Sequence, residues 1–128
     1  MNYIYTAVIS RDEDKYIASV PDFPGCMTSG NSVSDAIDQI TDALSVCLVT
    51  AEDKNLPIPV PTAQPELPHG SDDICTLIRV DTLTYRAATD KRSVRKNVSL
   101  PAWMAALADK RGLNCSKILQ DALLNMIK

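Results

Sequence analysis

Histidine, tryptophan and phenylalanine each occur once in this 128-residue chain, and no two of its four cysteines form a C-x-x-C pair. A zinc centre or a disulfide framework needs several ligands or cysteines at short, patterned spacings. Cys26, Cys47, Cys75 and Cys115 are scattered instead. Four reduced, half-buried thiols in a reducing compartment are the expectation, since free cysteine behaves as a small hydrophobe. No N-terminal stretch joins basic residues to a long apolar run, so no secretory signal is expected. The longest helical-looking apolar segment, around Ala43 to Ala51, is too short and too mixed to span a bilayer. These absences point to a cytoplasmic protein without a membrane partner. The lone His69 sits in a Pro/Gly-rich stretch with no cysteine or acid on a shared face, and reads as a solvated loop residue.

An apolar content of 45% can support a core, and the length suits one small domain with an appended module. Net charge is −3, but that average hides an asymmetry. Residues 1–90 carry 14 Asp/Glu against 5 Lys/Arg, a balance of −9, while residues 91–128 carry 8 Lys/Arg against 2 Asp/Glu, a balance of +6. Two segments of opposite sign point to two partners of opposite preference, the tail's being a polyanion.

Residues 3–9 (YIYTAVI) are β-branched and aromatic, which predicts a strand. Asp12-Glu13-Asp14 supplies a turn. In residues 15–20, Tyr16, Ala18 and Val20 fall on one face and Lys15, Ile17 and Ser19 on the other, so a hairpin follows. PDFPGC (21–26) ends it with the Pro-Gly pair of a type II turn, and Cys26 to Ser29 form a short third strand. Ser32-Val33-Ser34-Asp35 fits a capping box. Val33, Ala36, Ile37, Ile40, Leu44, Cys47, Leu48 and Ala51 then recur at three- and four-residue steps, one apolar stripe on a helix of about five turns. Asp35, Asp38 and Asp42 take the opposite side. Five of the eight prolines fall between 57 and 68, an extended crossing or loop. Residues 75–80 read as a returning strand and residues 81–93 as a polar connector. The order β-β-β-α-β gives an α+β layer of one sheet and one covering helix.

The tail differs in kind. Arg95, Asn97 and Ser99 alternate with Lys96, Val98 and Leu100, a period of two. Pro101 opens a helix ending at Gly112, with Trp103 packing at its start as a core anchor, and Asn114 caps a second helix. A strand and two short helices cannot bury enough surface to stand alone. Two copies resolve this: the strands pair antiparallel, and Val98, Leu100, Leu107, Ile118, Leu119 and Leu123 form a shared core. Such a ribbon fits the DNA major groove. Arg95, Asn97 and Ser99 then face base edges, while Asn114, Ser116 and Lys117 hold a backbone phosphate at a helix N-terminus. Two alternatives stay open: the strand joins the N-terminal sheet, or the tail is half of a helix-turn-helix.

PDFPGC, the Gly30 before S-V-S-D, RKNVSLPAW (95–103) and GLNCSKILQDAL (112–123) together resemble the HicB family of antitoxins in its ribbon-helix-helix form, over nearly the whole chain. The resemblance implies a partial RNase H-like N-terminal domain without catalysis (residues 1–88), a linker (89–93) and a C-terminal ribbon-helix-helix (94–128). It implies as partners a small basic HicA-type toxin that cleaves mRNA, operator DNA, and a second copy of the chain, in a homodimer or a tetramer. The acidic N-terminal half suits a cationic partner, and Asp12, Glu13, Asp14, Asp22 and Phe23 are the expected toxin-facing residues. Asp12, Asp14, Asp22 and Asp35 are also the carboxylates a metal nuclease would use. Turns and a helix N-terminus do not converge as rigid elements do, so no catalytic residue, metal or cofactor is expected. A stand-alone ribbon-helix-helix repressor with a ligand-sensing N-terminal domain is the competing reading.

Overall fold

The structure, a computed structural model, describes residues 1–63 and 70–128, so His69 lies outside the described residues. It divides into two compact units, Met1–Lys91 and Arg92–Lys128.

In the first unit, β1 (Asn2–Asp12), β2 (Lys15–Ser19), β3 (Met27–Gly30) and β4 (Ile74–Asp81) form an antiparallel sheet in the order β3-β2-β1-β4. The succession β-β-β-α-β is the expected one. The acidic turn contracts to Glu13-Asp14, because Asp12 pairs with Lys15, and Glu13 takes a φ of 53°. In PDFPGC the Cys26 amide donates to the Phe23 carbonyl at 2.9 Å, and Gly25, with φ +89°, occupies the left-handed position of a type II turn. The Val20 amide donates to the Cys26 carbonyl at 3.1 Å, closing the loop so that the chain re-enters the sheet beside β2.

The long helix, α1 (Val33–Asp53), starts where the hydroxyl of Ser32 accepts from the Asp35 amide at 3.0 Å. The Asp35 carboxylate reaches back to the Asn31 amide at 2.9 Å, a capping box displaced by one residue. Its stripe is the expected one: Ala36, Ile40, Leu44, Leu48 and Ala51 are buried, and Val33, Ile37 and Cys47 are half-buried at its margin. These side chains meet Tyr5, Ala7 and Ile9 of β1, Ala18 of β2, and Ile78 and Val80 of β4. Each large aliphatic side chain so buried contributes about 1.5–3 kcal/mol, which places the stability of this unit between α1 and one face of the sheet. Asp38 and Asp42 are exposed on the far side. The proline-rich segment, as far as residue 63, is tied to this core. Ile58 packs on it, the Tyr5 hydroxyl donates to the Pro59 carbonyl, and Asp22 accepts from the amide and hydroxyl of Thr62 at 2.9 and 2.6 Å.

The stretch 81–93, expected as a connector, instead contains a helix, α2 (Thr82–Thr89). Asp81 caps it, accepting from the Leu83 amide at 3.1 Å and the Thr84 hydroxyl at 2.9 Å. Arg86 bridges to Glu52 at 3.1 Å and Asp53 at 2.8 Å. A helix this short is marginal alone and is held by such contacts with its neighbours, not by a periodic apolar stripe.

The second unit holds α3 (Ala102–Lys110) and α4 (Cys115–Ile127). Pro101 is the N-cap, one position earlier than expected, and its carbonyl accepts from the Met104 and Ala105 amides. Between the helices the Leu113 amide donates to Ala108 and the Gly112 amide to Asp109, with Gly112 at φ +64°. This is the Schellman pattern that makes glycine the natural stop. Asn114 caps α4 by accepting from the Lys117 amide at 3.1 Å. Residues 92–100, where a strand was expected at 95–99, have no ladder partner in a single chain, and the tail adds no strand to the four-stranded sheet.

Candidate functional site

No residue of the second unit is buried. Val98 and Leu100, ahead of α3, combine with Met104 and Ala108 of α3, Leu113 of the turn, and Ile118, Leu119 and Ala122 of α4. Together they line an open apolar groove of about 400 Å³. Val98 is 56% exposed and Ile118 51%. Arg95, Lys96, Asn97 and Ser99 are exposed and take no part in that lining, so Val98 and Leu100 are set apart from the polar residues between and before them. Of the expected core residues, Val98, Leu100, Ile118 and Leu119 share the groove; Leu107 and Leu123 are exposed and lie outside its lining. Trp103 corrects an expectation. At 65% exposed it lies outside the groove, because the stripe lining the groove runs through Met104 and Ala108, a different side of the helix. Cys115, expected half-buried, is exposed at the groove's edge, since it is the first residue of α4.

Asn114, Ser116 and Lys117 come together at the N-terminus of α4, where helix amides and the helix dipole favour an anion. The side-chain oxygen of Asn114 is committed to the cap, and Ser116 and Lys117 beside it are exposed.

In the first unit the expected toxin-facing residues separate into two places. Asp12, Glu13 and Asp14 sit exposed at the β1–β2 tip, beside an open depression of about 360 Å³ lined also by Lys15, Ile17 and Ser29. Asp22 and Phe23 lie beyond the opposite end of β2. There Asp22 holds Thr62, and the Phe23 ring meets Tyr5 edge-on with centroids 5.1 Å apart. The sequence did not point to a polar cluster around Glu52, which is built from three separated segments. Its carboxylate accepts from the Tyr3 hydroxyl at 2.8 Å, the Thr82 hydroxyl at 3.1 Å and Arg86 at 3.1 Å. Burial drives the Tyr3 phenol up, and its hydrogen bond to Glu52 adds to this, to about 12. Burial, followed by its neighbour Cys47, pushes the Cys26 thiol to about 12 as well, so this sulfur is an inert core atom. Among the described residues no three His, Cys, Asp or Glu side chains converge as metal ligands, and no helix is long and apolar enough to cross a membrane.

The profile of a family described as "HicB_like antitoxin of bacterial toxin-antitoxin system" matches residues 5–120, spanning both units. The chain belongs to this family. Its members are antitoxins, not enzymes. A curated relative, the "Uncharacterized 14.9 kDa protein in rep-hol intergenic region" of Haemophilus phage HP1, is 29% identical over 110 residues, 84% of this chain and 80% of that protein. Among solved structures, a chain of a "Toxin-Antitoxin complex from Streptococcus pneumoniae" superposes with a TM-score of 0.62 at 21% identity, over 98% of this chain and 99% of that one. The Burkholderia pseudomallei antitoxin HicB gives 0.52 at 24% identity, over 100% and 99%. At such identities the two structures speak for the fold.

Proposed function

We propose that this chain neutralises a HicA-type mRNA interferase by binding and occluding it through the acidic first unit. As a dimer or higher oligomer built on the second unit, it represses its own operon by binding operator DNA. The observation that carries the second half is the uncovered groove. Two helices and a ten-residue arm leave all their large apolar side chains but the half-buried Leu119 exposed, a state that water opposes and that a second copy relieves. Antiparallel pairing of the two arms completes a ribbon-helix-helix, with Val98, Leu100, Ile118 and Leu119 turned into the joint core and Arg95, Asn97 and Ser99 turned toward base edges in the major groove. The +5 balance of residues 92–128 suits the phosphates. The −8 balance of residues 1–91 suits a cationic, RNA-binding protein and repels nucleic acid. The first unit, with its strand order and single covering helix, takes the role of the family's partial RNase H-like domain.

Sedimentation and gel-shift titration against the upstream DNA of its own operon, with and without the co-expressed toxin, test both halves. A dimer that shifts operator DNA and forms a stoichiometric complex with the toxin is the expected result. Operator binding with no toxin complex would leave a stand-alone repressor, and a monomer that shifts no DNA would remove the ribbon-helix-helix.

A further inference from the structure

We propose that the sheet face turned away from α1 is the surface on which the basic partner polypeptide docks. Pairing register places Ile4 and Val8 of β1, Ile17 of β2, Met27 of β3, and Cys75 and Leu77 of β4 together on that face. None of the six belongs to the core that α1 covers, though Val8 at the centre of the sheet is only 6% exposed and Ile17 and Cys75 are half-buried. Leu77 is 64% exposed and Met27 65%. Exposed Ile4, Met27 and Leu77, flanking half-buried Ile17 and Cys75, make an apolar strip larger than isolated surface hydrophobics and mark an interaction site. The two other expected contact residues are half-buried and already engaged within the unit: moving Asp22 or Phe23 outward would break the Thr62 hydrogen bonds or the contact with Tyr5.

Charge decides the occupant. Arg79 stands on the same face opposite Ile4, but where the strip reaches the β1–β2 tip, Asp12, Glu13, Asp14 and Asp72 outnumber Arg11 and Lys15, and Asp72 shares an open depression with Arg11 and Glu13. A second copy laid on this face would bring two units of −8 together, whereas a cationic polypeptide gains from that rim while its apolar side covers the strip. An apolar centre with a charged edge is also how specific protein interfaces are built.

This surface rests on the antitoxin reading, and the experiment separates the two. The full-length protein is titrated calorimetrically with the inactivated HicA-type polypeptide encoded beside it, at low and high salt. Leu77→Lys and Met27→Lys should each weaken binding about 30-fold or more, and D12N/E13Q/D14N should flatten its salt dependence. Val46→Lys, on the exposed side of α1, should bind as wild type does. Both lysine positions are largely exposed, and thermal melts of the two variants guard each other against a folding artefact. Failure of the wild type itself to bind would overturn the antitoxin reading along with the surface. Wild-type binding that survives both lysines, or is lost with Val46→Lys, would overturn the surface alone. So would a Leu77→Lys protein whose assembly shrinks in sedimentation while its toxin affinity holds, since the face would then belong to a second copy.

Discussion

Replacing Glu52 by alanine should cost the first unit about 2–3 kcal/mol, and the figure follows from what each partner loses. Hydrogen bonds to a charged group contribute about 1.5–3 kcal/mol apiece, and Glu52, whose side chain is 15% exposed, accepts three. The losses do not add. Arg86 keeps Asp53 at 2.8 Å, and Thr82 keeps the Met1 carbonyl at 3.3 Å. Tyr3 alone is left with no oxygen acceptor. Arg86→Ala should cost only about 1 kcal/mol, because the guanidinium is 36% exposed and exposed ion pairs contribute little. Urea unfolding followed by far-ultraviolet circular dichroism would read both, as midpoint shifts at unchanged slope. Burial by itself would raise the Glu52 pKa, but hydrogen bonds from Tyr3, Arg86 and Thr82 outweigh it and hold the carboxyl below its ordinary value of 4.5. A group depressed on folding stabilises fully above its unfolded pKa and loses that contribution as pH falls through the folded value. The gap between wild type and Glu52→Ala should therefore narrow on acidification below 4.5. Equal costs for Arg86→Ala and Glu52→Ala, or a gap that widens in acid, would refute this account of the cluster.

Arg95→Ala should weaken operator binding by about 1–3 kcal/mol and relax base preference at one position per half-site. If Lys96→Ala does so instead, the arm pairs one residue out of register. Lys117→Ala should weaken all DNA sequences alike and flatten the salt dependence of gel shifts, as a phosphate contact does. Val98→Asp should place a charge in the joint core and yield a monomer by sedimentation, with one-to-one toxin binding retained. Gly30→Ala should destabilise the first unit by about 1–3 kcal/mol in thermal melts, since its Cβ would stand 2.4 Å from the backbone nitrogen of Ala36.

Elements whose residues satisfy one another locally were legible in the sequence. The stripe from Ala36 to Ala51, the Ser32–Asp35 cap, the Pro24-Gly25 turn and the Gly112 stop each follow from spacing and backbone preference. What distant segments create together was not. Arg86 reads as solvated until Glu52 and Asp53 are brought to it, and for that reason α2 passed for a connector. Asp22 reads as a free carboxylate until Thr62, forty positions on, donates to it. The open sheet face left a trace that periodicity alone underweights. In YIYTAVI the residues of both phases are largely apolar, the pattern of a strand that buries both sides, whereas α1 covers only one.

If the groove of the second unit is filled by a second copy, as proposed, it also governs how long the protein lasts and how it responds to its own amount. Paired as proposed, a unit with no buried residue in one chain would draw its stability from association, so the fraction folded would rise with protomer concentration. Freshly made, dilute chains would then carry a second unit open to proteases, and pairing would protect it. Degradation then falls hardest when the protein is scarce, steepening its decline once synthesis stops. Under the repression proposed above, operator occupancy would fall with it, and transcription would resume when the supply of pairs has run down. A surface left incomplete in each single chain thus makes abundance itself the signal.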